Sequence, residues 1–228
     1  MSKREVIIAL DFSTRKQILE ILTKIDSPAF VKVGMELFFN EGPDIIRLIK
    51  EMNHKVFIDL KVHDIPNTAA GSLRALKSLG ADIVNVHCAG GIKMMEAAKE
   101  VFKDTDTLVI GVTQLTSTSQ QTLENEILIK EDMNDVILQY AINAKKAGLD
   151  GIVCSPLEAQ MIHDKLGHDF KTICPGIRYE SGKDDQVRVT TPALAKEYTC
   201  DYIVVGRPIT QAEDPAMMYN KIKKEFEG

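Results

Sequence analysis

Short runs of β-branched and apolar residues recur along the whole chain, each followed by a stretch whose apolar positions repeat at helical spacing. The runs predict strands at Val6–Leu10, Phe30–Val33, Val56–Val62, Ile83–His87, Leu108–Thr113, Gly151–Cys154, Lys171–Cys174 and Tyr202–Val205. The segments between them predict helices at Arg15–Lys24, Pro43–Met52, Thr68–Leu79, Gly91–Phe102, Met133–Ala147, Pro156–Leu166 and Pro192–Tyr198, with Pro215–Phe226 after the last strand. Ser155-Pro156, Thr191-Pro192 and Asp214-Pro215 each place a capping side chain before a proline at the first helical position. Eight strand-then-helix units with strands apolar enough for burial on both faces predict an α/β fold, a parallel sheet closed into a (β/α)8 TIM barrel. An open doubly wound sheet is the alternative, but it usually carries a glycine fingerprint, and G-x-G-x-x-G does not occur. With no linker, composition break or stronger repeat, the expectation is one catalytic domain over residues 1–228. Two long segments after strands, Thr116 to about Asp132 and Ile177 to about Thr190, are expected to act as lids on the face where barrel enzymes do their chemistry.

Composition changes this picture little. The chain has 228 residues, 44% hydrophobic and 27% charged, with net charge −5 and a pI near 5.6, which suits one well-buried core. The longest uncharged stretch, Leu108 to Leu123, is rich in Thr, Ser and Gln and falls short of the roughly 18 to 20 apolar residues of a membrane helix. The apolar run after the basic start ends at Asp11, too early for a secretory signal, so a cytoplasmic location is expected. Cys88, Cys154, Cys174 and Cys200 are scattered and read as buried thiols rather than a zinc site or disulfide framework. An acidic chain with no Trp and no basic run lacks the footprint of a nucleic-acid binder, so any phosphate recognition should be local.

The chemistry concentrates in Val56 to Thr68. On a strand Asp59 and Lys61 project to one side, while Ile58, Leu60 and Val62 project to the other, where a barrel packs its helices. Asp64 lies just past the strand end, within reach of the same lysine or of a neighbouring chain. A purely structural salt bridge would seldom need so many desolvated charges at one rim. Asp11 closes the first strand, Lys32 lies within the second, His87 ends the fourth and Ser155 follows the sixth, while Gly176-Ile177-Arg178 and Gly206-Arg207-Pro208 follow the seventh and eighth. Loops at those last two positions often bind phosphate, and a Gly-Arg pair offers a close N–H and a bidentate guanidinium. The run from Gly176 to Asp184 resembles a P-loop but has one residue too many between its glycines and no Ser or Thr after Lys183. His87-Cys88 reads as a rim histidine beside a buried thiol, and Met94-Met95 and Met217-Met218 as helix packing. A Schiff-base or general-base lysine needs a depressed pKa, whereas Asp59 and Asp64 should keep Lys61 an ammonium that stabilises and then protonates a carbanion. Two aspartates holding Mg²⁺ against an enediolate is the alternative, with Lys61 competing for their charge. The residues alone point to carbanion chemistry on a sugar phosphate or nucleotide.

From Ile7-Ile8-Ala9-Leu10-Asp11 to Val204-Val205-Gly206-Arg207 the chain resembles the bacterial-type orotidine 5'-phosphate decarboxylases. The D-x-K-x-x-D signature at Asp59-Lys61-Asp64 is shared with sugar-phosphate relatives. Its extension through Val62-His63-Asp64-Ile65-Pro66-Asn67-Thr68 is far more specific, as are Val31 to Leu37, Val112 to Ser117 and Pro175-Gly176-Ile177-Arg178. The resemblance implies conversion of orotidine 5'-phosphate to uridine 5'-phosphate and carbon dioxide, the last step of de novo uridylate synthesis, without metal or organic cofactor. It implies that Lys61 stabilises and protonates pyrimidine C6, and that Asp59 holds Lys61 and crowds the substrate carboxylate. Asp64 and Thr68 are implied to reach a partner's site in a homodimer, and Lys32 and Asp11 to bind ribose hydroxyls. Thr116 would cover the pyrimidine, Gly206, Arg207 and Gln186 would grip the phosphate, and Arg178 would order the seventh loop. The nearest rival is a Mg²⁺-dependent aldolase of the 3-hexulose-6-phosphate synthase type, against which Ile65-Pro66-Asn67-Thr68 and Leu115-Thr116-Ser117 argue. A catalytically silent nucleotide-binding module is the alternative from another class.

Overall fold

Side chains alternate along parallel strands and sort into two cores, one inside a closed sheet and one between that sheet and its helices. In the computed structural model, the structure describes residues 4–25, 27–179 and 190–228. The strands are β1 (Glu5–Ala9), β2 (Phe30–Gly34), β3 (Lys55–Val62), β4 (Ile83–His87), β5 (Leu108–Val112), β6 (Gly151–Val153), β7 (Lys171–Cys174) and β8 (Tyr202–Val205). They pair in parallel and in chain order, and β8 returns to β1, with Val6 opposite Ile203. Inside the barrel, Ile7, Ala9, Phe30, Phe57, Ile83, Ile110, Ile173 and Val204 pack as one layer. The alternate positions, among them Ile8, Val31, Val33, Val56, Ile58, Val84 and Val86, face outward into the larger core. Each of these outward side chains is fully buried, a contribution of roughly 1.5–3 kcal/mol apiece.

The helices covering the barrel are α1 (Arg15–Leu22), α2 (Met35–Glu41), α3 (Asp44–Glu51), α4 (Pro66–Lys77), α5 (Gly91–Val101), α6 (Gln120–Asn125), α7 (Met133–Lys146), α8 (Pro156–Leu166), α9 (Pro192–Glu197), α10 (Arg207–Thr210) and α11 (Pro215–Glu227). The three proline-led starts are capped as the sequence predicts, with Ser155 accepting from Leu157 N–H, Thr191 from Leu194 N–H and Asp214 from Met217 N–H. Three short helices depart from the sequence reading. α2 continues directly from β2, α6 occupies the long fifth loop, and α10 begins at Arg207. α4 starts at Pro66 rather than Thr68, because proline fits the first helical position. Among the described residues no helix is long and apolar enough to cross a membrane, and all four cysteines are buried free thiols.

The face at the strand N-termini is tied by a repeated device. Asp82, Asp150 and Asp201 stand one residue before β4, β6 and β8, and each accepts a backbone N–H from the preceding strand. The donors are Val56 at 2.8 Å, Val109 at 2.7 Å and Thr172 at 3.0 Å. Lys50 and Lys99 pair with the first two carboxylates, and His163 with the third. The opposite face is left for chemistry.

Candidate active site

At the C-terminal mouth of the barrel, the inward positions of β2 and β3, and Asp11 just past β1, are charged. Lys32, on β2, places Nζ 3.0 Å from Asp11 Oδ1 and 3.3 Å from Asp59 Oδ2. Lys61, on β3, places Nζ 2.7 Å from Asp59 Oδ1. Asp11, Lys32, Asp59 and Lys61 therefore form a row of alternating charge. Burial penalises the Lys32 ammonium, yet the carboxylates of Asp59 and Asp11 outweigh it and raise its pKa above the ordinary lysine value. Burial likewise works against the Asp59 carboxylate, and Lys32, Lys61 and a hydrogen bond from Asn85 overcome it and lower its pKa. Both central groups stay charged at neutral pH.

The local backbone is unusual at the lysine. Lys61 has φ 49°, in the left-handed region, a conformation that costs a side-chain-bearing residue roughly 1–2 kcal/mol. Its N–H donates to Asn85 Oδ1 at 2.7 Å, and Asn85 Nδ2 donates to Asp59 Oδ1 at 2.7 Å. Despite this break in regular geometry, Leu60 and Val62 still pack with Ile58 against the outer core, so the side assignment read from the sequence holds. His87 at the end of β4 stacks on His63, with ring centroids 5.3 Å apart. Burial, then His63 and Lys61, push the His87 pKa below its usual value. Its Nδ1 accepts the Ala89 N–H at 3.2 Å, which fits a rim histidine with a structural bond.

The charged row opens into a cavity of about 610 Å³, within the range of small-molecule sites. Asp11, Lys32, Asp59, Lys61, Thr116, Arg178, Gly206 and Arg207 all line it, together with apolar side chains such as Ile173 and Val204 on its floor. Asp64 and Thr68 are exposed and stand outside that lining, Asp64 accepting the adjacent Ile65 N–H at 2.7 Å. Gln186 lies outside the described residues. The root of the seventh loop is closed by Arg178 N–H on the Thr190 carbonyl at 2.8 Å and Thr190 N–H on the Gly176 carbonyl at 3.0 Å. The fifth loop folds through α6, where Gln120 accepts the Met133 N–H at 2.8 Å. Sequence reasoning missed Asn85 and Gln114. Asn85, in the middle of β4, is in phase with inward Ile83, and Gln114, two residues past β5, is in phase with inward Val112, and that parity is the signal that marks them. Among the described residues no group of three or more His, Cys, Asp or Glu side chains is placed to share a metal ion.

A family model described as orotidine 5'-phosphate decarboxylase / HUMPS matches residues 4–222. The chain belongs to this family. An orotidine 5'-phosphate decarboxylase of Staphylococcus epidermidis (strain RP62A) is 50% identical over 223 residues, covering 96% of this chain and 97% of that protein. One from Staphylococcus haemolyticus is 49% identical over 225 residues, covering 97% and 98%. The crystal structure of orotidine 5'-phosphate decarboxylase from Lactobacillus acidophilus superposes with a TM-score of 0.91 at 42% identity, covering 99% of this chain and all of that one. That from Pyrococcus horikoshii gives 0.80 at 28%, covering 98% and 99%. Membership of the decarboxylase / HUMPS family agrees with the resemblance carried by the D-x-K-x-x-D segment and its extension, and the closed eight-stranded barrel agrees with the fold expected from the eight strand-then-helix units.

Proposed function

We infer that this chain is an orotidine 5'-phosphate decarboxylase, a carboxy-lyase that forms uridine 5'-phosphate and carbon dioxide. Relatives of about half identity over nearly the full length carry that name, and the observation that carries the chemistry is the Asp11–Lys32–Asp59–Lys61 row at the mouth of the cavity. In the reaction the C6–carboxylate bond breaks, carbon dioxide leaves, and the electron pair remains on C6. Lys61, 2.7 Å from Asp59, supplies positive charge at that carbon and then its proton, and recovers a proton from solvent. Asp59 fixes the Lys61 amine and disfavours the substrate carboxylate where it stands. Lys32 and Asp11 bind ribose hydroxyls. Gly206, Arg207 and Gln186 bind the phosphate, Thr116 covers the base, and Arg178 orders the seventh loop. Binding energy from the remote phosphate drives loop closure and organises the charged row.

The assembly we propose is a homodimer in which Asp64 and Thr68 complete the partner's site. Their exposure and their position outside their own chain's cavity support this. The chain then acts as one cytoplasmic catalytic domain over residues 1–228 on a small nucleotide, with no nucleic acid or membrane partner and no cofactor. The Mg²⁺-dependent aldolase is not favoured, since both Asp59 oxygens are already engaged, Oδ1 by Lys61 and Asn85 and Oδ2 by Lys32. The test is turnover of orotidine 5'-phosphate in EDTA. Undiminished release of carbon dioxide is expected, and arrest by the chelator would favour the aldolase.

A further inference from the structure

Position 61 makes two demands that conflict: the amine of a lysine, and a backbone at φ 49° where glycine is the residue of least strain. We propose that Asn85, on β4, is the positioning residue that reconciles them and thereby sets where the Lys61 amine stands in the decarboxylation inferred above. The residue is 1% exposed, and its side chain is used on both sides. Oδ1 accepts the Lys61 backbone N–H at 2.7 Å, and Nδ2 donates to Asp59 Oδ1 at 2.7 Å. A backbone N–H only donates and an ionised carboxylate only accepts, so the bridge needs one acceptor and one donor on a short group. Asparagine has both. Aspartate lacks the donor, and leucine, of similar shape, lacks both.

The sheet register explains why a bridge is needed at this point. Ile58 pairs with Val84, but the next pair is Val62 with Val86, so Asp59, Leu60 and Lys61 together stand opposite Asn85. The bulge breaks the regular ladder where the two charged residues must be aimed at one point. Asp59 Oδ1 receives both Lys61 Nζ and Asn85 Nδ2, each at 2.7 Å, so the lysine's backbone, its amine and the carboxylate close into one ring of hydrogen bonds. Asn85 is not part of the cavity's lining, so it acts through Asp59 and Lys61 and not on the substrate.

Because this rests on the decarboxylase reading, the test keeps the two apart: wild-type turnover tests the reading, and Asn85 variants test the inference. Asn85→Leu should lower kcat about 100-fold, the scale of a small misplacement of a reacting group. KM and uridine 5'-phosphate affinity should stay within about threefold, since Gly206 and Arg207, proposed to bind the phosphate, lie past β8 and not on β3 or β4. In its crystal structure Lys61 should leave the left-handed region, or Nζ should withdraw from Asp59. Asn85→Asp keeps the acceptor and regains a donor only when protonated. Its kcat, low at neutral pH, should rise on acidification, opposite to the wild type. The groups facing the introduced carboxyl are Asp59 and Lys61 on β3 and His87 on β4, with apolar Ile110 opposite on β5. A kcat for Asn85→Leu within about threefold of wild type, or a loss confined to KM, would overturn the proposal. Should Asn85→Leu fail to fold, a wild-type pH profile in Asn85→Asp overturns it. If the wild type itself does not decarboxylate, unchanged Lys61 φ and Asp59 contact in the variant crystals do so independently.

Discussion

Asp59 is the residue on which the charged row turns, because it separates two ammonium groups 3.3 and 2.7 Å from its oxygens. Asp59→Asn should lower kcat by at least about 10²–10³-fold, as loss of a preorganised electrostatic group does, and steady-state turnover at saturating substrate measures it. The same substitution leaves Lys32 buried with one carboxylate fewer, a loss on the order of 3 kcal/mol in denaturant unfolding. The pH dependence of that loss has a definite sign. Asp59 has a lowered folded pKa, so its contribution is fully present above the ordinary aspartate value of about 3.9 and fades as pH falls through the lower folded value. Lys32 has a raised one, so its contribution is full below about 10.4 and fades as pH rises beyond it. The stability difference between wild type and Asp59→Asn should therefore be flat from about pH 5 to 9, and a slope inside that window would contradict the assignment. The sequence shows these charges readily, because strand parity puts Asp59 and Lys61 on one side. It does not show the left-handed Lys61 or its Asn85 support, because both follow from a register slip between β3 and β4 that no local pattern encodes.

At the scale of elements, the two barrel faces separate stability from chemistry. Asp82 accepts the Val56 N–H and pairs with Lys50 at the base of β4. Asp82→Ala should cost about 1–3 kcal/mol of unfolding free energy by stranding a backbone donor and leave kcat unchanged, which paired denaturation and activity assays check. Gly151 opens β6 where a Cβ would lie 2.2 Å from the Lys171 carbonyl oxygen. Gly151→Ala should destabilise by about 3 kcal/mol, since the obstacle is backbone and not a flexible side chain. Strands, long helices and proline-led caps are legible in the sequence because period, capping residue and proline agree at Ser155, Thr191 and Asp214. The short helices are not. α2 has seven residues, α6 six and α10 four, too few for a periodic signal, and their conformation is imposed by neighbouring strand ends and loops.

For the whole molecule, the closed barrel brings residues from Asp11, just past β1, to Gly206 and Arg207, just past β8, around one cavity, a juxtaposition legible only once the fold class is read. Asp64 and Thr68 remain on the outside of that cavity, which makes assembly testable through function. Mixing inactive Lys61→Ala and Asp64→Ala proteins under subunit exchange should restore about a quarter of wild-type activity, since half the dimers would be mixed and each would hold one intact site. No recovery would place Asp64 in its own chain's chemistry. The decisive measurement is carbon dioxide release from orotidine 5'-phosphate in EDTA, for wild type and Lys61→Ala side by side. The wild type should yield equal amounts of carbon dioxide and uridine 5'-phosphate, and Lys61→Ala should bind uridine 5'-phosphate without turnover. Absence of turnover in the wild type, or its persistence in Lys61→Ala, would contradict the role of the Lys61 amine.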